Sequence, residues 1–246
     1  MVLTRQGLAV GGASERVGPP GMQIRLVYFP VRAKAECARM CLAYARIPWV
    51  DESVQSYYGS TWPDAKAKAP FGQLPLMVVD GAEIAQVPAI VHFIASQVNA
   101  VKPGFVPADP LDAARCDSVF FAAEELAGIN PIVNVFRGET WDAKKAEFFS
   151  TFPPKLKNLD RVLGDGPFFC GAILTYADLN VWHYLDNVRT VEPTALDEYH
   201  TVLGFMSAVA ALPGVQEYLA SRPKCVDIGT QPRFEVVPPA PIEQKF

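Results

Sequence analysis

The sequence predicts an α/β half followed by an all-helical half. Residues 24–97 alternate short apolar strands with helical segments in the order β-α-β-α-β-β-α, which is typical of a sheet with parallel and antiparallel pairs. After about residue 100 only helical periodicity remains. Pro103, Gly104 and Pro107 interrupt the chain at this change, so we expect a linker between two domains there.

The first βαβ unit is readable from its apolar spacing. Ile24–Phe29 is an apolar strand that Pro30 ends, and helical spacing follows over residues 33–46. Pro48 stops that helix, and residues 49–54 predict a second strand. Strand, helix and strand thus fit into about 30 residues, as in a βαβ unit.

A hairpin and a helix complete the α/β half. Asp80-Gly81 separates the apolar run Leu76–Val79 from residues 83–85, and Asp-Gly between such runs is a strong signal for a tight hairpin. Pro88 fits the first turn of the next helix. A short helix is also expected to begin at Trp62.

Helical periodicity covers 110–129, 140–149, 153–163, 175–188, 197–211 and 214–221. We see no convincing strand after residue 110. The predicted organisation is an N-terminal arm at 1–22, an α/β domain at 23–98, a linker at 99–109, a helical domain at 110–222 and an extended tail at 223–246.

Composition argues against several classes of function. The net charge is −4, so no basic surface indicates nucleic acid or an anionic membrane. No apolar run approaches the roughly 20 residues that span a bilayer. The five cysteines show no metal-ligand or dithiol spacing, so we expect reduced thiols and no metal site. A cytoplasmic protein is the prediction, although Arg5 and Arg16 in the Gly-rich arm leave organelle targeting open.

Three features could carry chemistry. Tyr28 ends the first strand, and ligands of open α/β sheets bind outside the carboxyl ends of strands. Gly72-Gln73-Leu74-Pro75 precedes a strand, and Gln86 precedes a helix whose N-terminus attracts carboxylates. Taken singly, each has an ordinary reading: a core tyrosine, a trans proline at a strand edge and a solvated glutamine.

Together these features resemble the glutathione transferase family, and most of all its sigma class. The shared pattern is Tyr28-Phe29-x-x-Arg32, Trp62-Pro63-Asp64-x-Lys66, Phe71-Gly72-Gln73-Leu74-Pro75, Asp80-Gly81 and Gln86-x-x-Ala89-Ile90. The resemblance is close from about Arg25 to Ser96 and continues more thinly at Thr175-Tyr176-Ala177-Asp178-Leu179, which looks like a helix-capping box.

The resemblance implies a thioredoxin-like N-terminal domain, an all-α C-terminal domain and glutathione as co-substrate. It casts Tyr28 as a hydrogen-bond donor that favours the thiolate of glutathione, and Arg32 as electrostatic support for that thiolate. It also implies a glutathione-binding set made of Trp62, Lys66, Gln73, Leu74, Pro75, Gln86 and Val87. A homodimer is the family expectation.

The second substrate is expected to be a small apolar electrophile. It would lie between the loop after the first strand and helices of the second domain, where Phe120, Phe121, Ile129 and Tyr184 are candidate lining residues. Aromatic residues at helical spacing also fit a plain core.

The chain departs from the family pattern at three positions. Val87 stands where the family usually has a serine that holds the γ-glutamyl carboxylate, so a hydroxyl is missing. Phe121 falls near the position of an acidic residue that reaches the partner subunit's glutathione, with Asp117, Glu124 and Glu125 close by. Ala33 replaces a common glycine.

These departures keep a second function open, namely a binding or structural subunit of the same fold with little turnover. The arm and the tail also favour it, because terminal extensions can bind partners. A thioredoxin-like reductase is a distant third hypothesis, since the segment after the first strand, residues 28–32, has no cysteine.

Overall fold

The computed structural model describes residues 21–235 and 243–244. Nearly all of the predicted N-terminal arm, and residues 236–242 and 245–246 of the tail, lie outside the described residues. The first half contains β1 (Ile24–Tyr28), α1 (Glu36–Tyr44), β2 (Trp49–Ser53), α2 (Val54–Tyr58), α3 (Trp62–Ala65), β3 (Leu76–Val79), β4 (Ala82–Ala85) and α4 (Val87–Val101).

The second half is built from helices. They are α5 (Pro110–Glu124), α6 (Ile129–Asn134), α7 (Gly138–Leu163), α8 (Tyr176–Val191), α9 (His200–Ala210) and α10 (Val215–Ser221). Three short strands close the chain: β5 (Lys224–Val226), β6 (Arg233–Glu235) and β7 (Glu243–Gln244). A mixed sheet followed by a helical domain confirms the predicted fold class.

The sheet has the strand order β4-β3-β1-β2-β7. β1 and β2 are parallel, as a βαβ unit requires, whereas β3 is antiparallel to both β1 and β4. Asp80 and Gly81 both have positive φ, 48° and 90°. A two-residue hairpin turn whose twist matches that of its strands requires positive φ at both positions. The predicted hairpin is therefore formed by the expected turn.

The alternation of β1 sends its residues to two cores. Ile24, Leu26 and Tyr28 belong to the large core shared with the helices, while Val27 packs on the opposite face with Leu76. Tyr28 thus lies on the helical side of the sheet, at its carboxyl end.

Helix α8 is the buried centre of the second half. Its start is fixed by the predicted capping box: the Asp178 carboxylate accepts from the backbone N–H and the hydroxyl of Thr175, both at 2.7 Å. The backbone N–H of Phe169 also donates to this carboxylate at 2.8 Å. The cap therefore joins the preceding loop to the helix.

Two element predictions were wrong. Residues 140–149 and 153–163 belong to one helix, α7, which runs through Pro153 and Pro154. The rings of Phe148, Phe149 and Phe152 pack together in the turn before the prolines, with centroids 5.3–5.8 Å apart.

The tail is the second wrong prediction, because β5 and β6 pair as an antiparallel hairpin and β7 pairs with β2. Short strands of three residues carry too little periodicity to be seen in a proline-rich segment.

Within the described part of the chain, no single helix is long and apolar enough to cross a membrane. Helices α9 and α10 meet the length and composition criteria only as a pair, and they are bent by 88°.

Candidate active site

A cleft of about 270 Å³ lies where the sheet meets the helical half; we call it the Leu74 cleft. Its lining residues are Lys34, Gln73, Leu74, Pro75, Gln86, Val87, Pro88, Phe121 and Glu124. The Leu74-Pro75 peptide bond is cis. Five residues of the predicted glutathione-binding set, Gln73, Leu74, Pro75, Gln86 and Val87, line this cleft, and they come from two separate stretches of the sequence.

Gln86 directs the N-terminus of α4 into this cleft. Its backbone has φ 72°, an unusual conformation for a non-glycine residue, and its amide donates to the Gln73 side-chain oxygen at 3.1 Å. Val87 is the first residue of the 15-residue helix, so its N–H has no partner within the helix. This free N–H and the helix dipole favour an anion.

Tyr28 is not among the residues that line the Leu74 cleft, but its hydroxyl approaches the backbone of one of them. Its side chain is buried, with 8% exposure, and its hydroxyl lies against the backbone of Lys34, a cleft residue. Burial raises the pKa of Tyr28 above its ordinary value of 10, and the hydrogen bond that the Lys34 backbone N–H donates to the Tyr28 oxygen opposes that rise only in part. The phenol therefore stays protonated at neutral pH and can donate a hydrogen bond.

Arg32 points elsewhere. Its guanidinium donates to the carbonyl oxygen of Pro223 at 2.5 Å and lies 3.5 Å from the Asp186 carboxylate. The cation with a resolved influence on the Tyr28 pKa is Arg39, which lowers it. The observed contacts thus give Arg32 a structural partner 191 residues away in sequence, and its predicted role toward a thiolate stays a prediction.

Trp62 and Lys66 lie beside the cleft and outside its lining. The Trp62 ring meets the edge of Phe29, next to Tyr28, with centroids 5.7 Å apart. Lys66 is exposed. Its side chain packs beside Gly72, where a Cβ added to the glycine would lie within about 4 Å of it. Lys66 is thus close to the residue before Gln73, Trp62 is close to the residue after Tyr28, and the predicted contacts of both with a ligand stay a prediction.

The predicted lining of the second-substrate site is mostly wrong. Phe120, Ile129 and Tyr184 are almost fully buried in the core and do not line the Leu74 cleft, so the plain-core interpretation fits them. Phe121 alone of that group reaches the Leu74 cleft, and it is 49% exposed. The helical stripe that suggested these residues is the packing face of α5, α6 and α8.

Glu124 is a cleft residue to which sequence reasoning gave no definite role. Its carboxylate accepts from the Asn180 amide at 3.0 Å and the Tyr184 hydroxyl at 2.9 Å, and it lies 3.9 Å from the Lys34 ammonium. These contacts hold a negative charge in the wall opposite Val87. The acidic pair Glu124-Glu125 was the available signal, but its register against the cleft depended on the tertiary structure.

A buried ion network joins the two halves behind the site. Glu36 is fully buried and pairs with Arg39 at 3.3 Å and Arg222 at 2.9 Å. Burial alone would raise its pKa, but the guanidinium of Arg222, followed by that of Arg39, lowers the pKa of Glu36 to about 2. His183 lies in this network, and burial lowers its pKa to about 4. The Glu36–Arg39 spacing of three residues on a helix was the only local signal.

The cysteines offer no alternative centre among the described residues. All five are free, and no group of three or more potential metal ligands is found in that part of the chain. Cys37 and Cys41 are buried in the core on α1.

Comparison with known families gives one match. Residues 129–222 match the family described as "Glutathione S-transferase, C-terminal domain". This region runs from α6 to the residue after α10 and therefore covers most of the helical half.

Similar whole proteins include "Probable glutathione S-transferase 6" of Caenorhabditis elegans, 29% identical over 206 residues, and "Hematopoietic prostaglandin D synthase" of Gallus gallus, 29% identical over 205 residues. Each comparison covers 81% of this chain and 96% of the relative. The solved structure described as "rat hPGDS complexed with a quinoline" shares the fold, with a TM-score of 0.71, 24% identity and coverage of 82% of this chain and 98% of that one.

Proposed function

We propose that this chain is a glutathione transferase, which transfers the thiolate of glutathione to an apolar electrophile. The observation that carries this proposal is the position of the Tyr28 hydroxyl beside the backbone of Lys34, a residue that lines the same cleft as Leu74, Gln86 and Val87. This position supports a role for the protonated phenol toward a small peptide bound in the cleft.

The chemistry requires that the thiol of glutathione loses its proton. A free thiol has a pKa of about 8.5, so only a few per cent is thiolate at neutral pH. A hydrogen bond from Tyr28 favours the thiolate and lowers the pKa of the thiol. A decrease of about two units corresponds to ~2.7 kcal/mol of preferential stabilisation.

The cleft residues suit the rest of glutathione, a small peptide with two carboxylates and one ammonium. The Val87 N–H and the Gln86 amide face the γ-glutamyl carboxylate, and the Leu74 backbone pairs with the cysteinyl residue as an added strand does. Trp62 and Lys66 bind the glycine carboxylate by indole N–H and ammonium. Lys34 and Glu124 then supply charges of both signs at the other wall.

In the transfer step the glutathione sulfur forms a bond to an electrophilic carbon. The leaving group departs with the electron pair of the bond that breaks, and the thiol proton goes to solvent. Tyr28 keeps its proton throughout, because its role is to donate a hydrogen bond to the sulfur.

The test is a glutathione titration by calorimetry followed by turnover with a chloro-aromatic acceptor. Binding together with turnover that collapses in Tyr28→Phe supports the proposal. An absence of glutathione binding by the intact protein contradicts it.

A binding or structural subunit is the second candidate function. Two observations favour it: Val87 lacks the hydroxyl expected at its position, and the Arg32 guanidinium is occupied by Pro223 and Asp186. Under this hypothesis glutathione binds but no acceptor is turned over, so the same two measurements separate the two functions.

We further propose a cytoplasmic, sigma-like enzyme of detoxification that works as a homodimer. Exposed apolar side chains on both halves, Phe71 at 77% and Phe121 at 49%, support an assembly that covers them. Glu125 is exposed, and its carboxylate lies 3.9 Å from the Lys155 ammonium. Cell fractionation and sedimentation test these points.

A further inference from the structure

The C-terminal hairpin, defined here as residues 224–235, is an addition to the family fold. The family match ends at residue 222. The comparison with a similar protein covers 96% of that protein but only 81% of this chain. The hairpin consists of β5 and β6, paired from Lys224–Glu235 to Val226–Arg233. Its function is therefore not explained by the glutathione-binding machinery.

Hydrogen bonds and ion pairs hold the hairpin against the rest of the protein at its base and at its tip. At its base, Arg32 donates to Pro223, and the buried Arg222 pairs with Glu36 at 2.9 Å and with Asp186 at 2.5 Å. At its tip, the Gly229 carbonyl accepts from the N–H of Gly138 at 2.7 Å.

Gly229 also lies flat on the Trp141 ring, where a Cβ would approach the ring to 2.8 Å. The hairpin thus bridges the loop after β1 and the start of α7 as a fixed element.

A pocket of about 210 Å³ lies beneath the hairpin; we call it the hairpin pocket. Phe234 and Pro223 form its outer wall, and Pro30, Val31 and Tyr218 form apolar parts of its floor. A cavity of about 150 Å³ in another protein holds benzene. The hairpin pocket therefore suits one aromatic ring with a small substituent.

The hairpin pocket is adjacent to the reacting region. A second hollow of about 450 Å³ is lined by Tyr28 and Phe29 and shares Pro30, Arg39 and Asp51 with the hairpin pocket. The two hollows therefore meet. Tyr28 links these hollows to the Leu74 cleft, because it lines the larger hollow and its hydroxyl lies against the backbone of Lys34, a residue of that cleft.

The charged residues of the hairpin pocket are already paired. Arg39 bonds to Asp51 at 2.8 Å and to Glu36 at 3.3 Å, and Arg32 is held by Pro223 and Asp186. No unpaired charge among these residues is left to attract an ionic ligand. The remaining surface favours an uncharged apolar group.

We propose that the hairpin pocket binds the apolar group of the second substrate and that Phe234 limits the size of this group. The proposal rests on the transferase function proposed above. It assigns to the C-terminal hairpin the role of a specificity wall: small uncharged aromatic electrophiles fit beneath it, and bulkier ones are excluded by the Phe234 ring.

The experiment uses the full chain and a series of para-substituted benzyl chlorides, from hydrogen to tert-butyl. Each reaction forms a C–S bond, expels chloride and releases the thiol proton to solvent. We expect Phe234→Ala to raise kcat/KM for the tert-butyl compound about tenfold relative to the unsubstituted one. Phe234→Trp should lower the same ratio, and glutathione affinity should stay unchanged in both.

Leu111→Ala is the matched control, because Leu111 is an exposed apolar residue on α5, outside the pockets described above. It should leave the size profile as in the wild type. Equal profiles in the wild type and in both Phe234 variants overturn the proposal.

A binding measurement separates this proposal from the transferase function. If the wild type turns over none of the compounds, the transferase function fails, and binding of fluorobenzene followed by fluorine NMR then tests the pocket alone. Binding that is lost in Phe234→Trp and kept in Leu111→Ala supports the pocket. Binding that does not respond to either change overturns it.

Discussion

In the proposed mechanism, single residues in and near the Leu74 cleft decide whether the thiol of glutathione is activated. Tyr28 is buried, and its pKa is raised above 10, so it donates a hydrogen bond over the whole neutral range. Val87 is 8% exposed and offers only its backbone N–H to a carboxylate. In this mechanism Tyr28 supplies the hydroxyl that the reaction needs. Val87 lacks a hydroxyl that would strengthen glutathione binding.

Tyr28→Phe removes the hydroxyl and keeps the ring packing. We expect kcat at pH 7 to fall about 10- to 100-fold, because the thiol pKa returns toward about 8.5. The pH–rate profile should shift its rising limb to higher pH by one to two units, while the glutathione dissociation constant changes little. A profile that does not move would show that another group holds the thiolate.

Val87→Ser restores a hydroxyl at the N-terminus of α4. A hydrogen bond to a charged group contributes about 1.5–3 kcal/mol, so glutathione should bind roughly 10- to 150-fold more tightly in calorimetry. Val162→Ser, at an exposed site on α7, is the matched control and should leave the affinity unchanged. Unchanged or weaker affinity in Val87→Ser would mean that the γ-glutamyl carboxylate binds elsewhere.

At the scale of elements, helix α8 depends on its N-terminal cap. Asp178 is fully buried and accepts hydrogen bonds from Thr175 and from the backbone of Phe169. The cap therefore orders the preceding loop as well as the first turn of the helix. Since α8 is the buried centre of its domain, we assign this carboxylate a role in folding.

Asp178→Ala leaves buried donors without partners. We expect a loss of about 3 kcal/mol or more in the free energy of unfolding, measured by urea titration. Asp165→Ala, at an exposed position in the nearby loop, should change this free energy by less than about 0.5 kcal/mol. If Asp178→Ala changes the free energy of unfolding only slightly, packing alone, and not the cap, orders this loop.

At the scale of the whole molecule, the buried network of Glu36, Arg222 and His183 joins the α/β half to the helical half. The charges of Glu36 and Arg222 compensate each other at 2.9 Å. Both ring nitrogens of His183 are buried, and neither has a hydrogen-bond partner among the described residues. The interface between the two halves therefore favours a neutral His183 imidazole beside the Glu36–Arg222 ion pair.

This arrangement predicts an acid-sensitive stability. The pKa of His183 is about 4 in the folded protein and about 6.5 when unfolded, so between these values the unfolded chain binds the extra proton. Stability is therefore complete above pH 6.5 and is lost as the pH falls toward 4, by about 2 kcal/mol at pH 5. The depressed pKa of Glu36 acts in the same direction at lower pH, from about 4.5 down to about 2.

Urea unfolding at pH 7 and pH 5 measures this effect. His183→Phe should remove most of the loss between the two pH values, whereas His200→Gln, at an exposed site, should retain it. A loss of equal size in His183→Phe would assign the acid sensitivity to other groups.

Association of two copies is the second prediction at this scale. We expect sedimentation to give a particle of twice 26.9 kDa. Phe71 is 77% exposed on a backbone with φ 57°, so Phe71→Ser should weaken association without unfolding the chain. A monomeric wild type would contradict the proposed homodimer.

The sequence by itself determined the local structure and the position of Tyr28. The strand ending at Tyr28, the Asp80-Gly81 turn and the Thr175-Asp178 cap each depend on a few neighbouring residues, so spacing and side-chain type were sufficient. Recognition of Gln86 beside Leu74 came from the family resemblance, which carries tertiary information that the residues alone do not.

Only the tertiary structure decided which distant groups meet. Arg32 meets Pro223, Glu124 enters the cleft wall, and Phe120 is buried in the core, and none of these follows from local spacing. The physical reason is that a helical stripe specifies which face is apolar, but not which other segment covers it. That choice depends on how the whole chain packs, and here it placed the C-terminal hairpin over the loop that follows Tyr28.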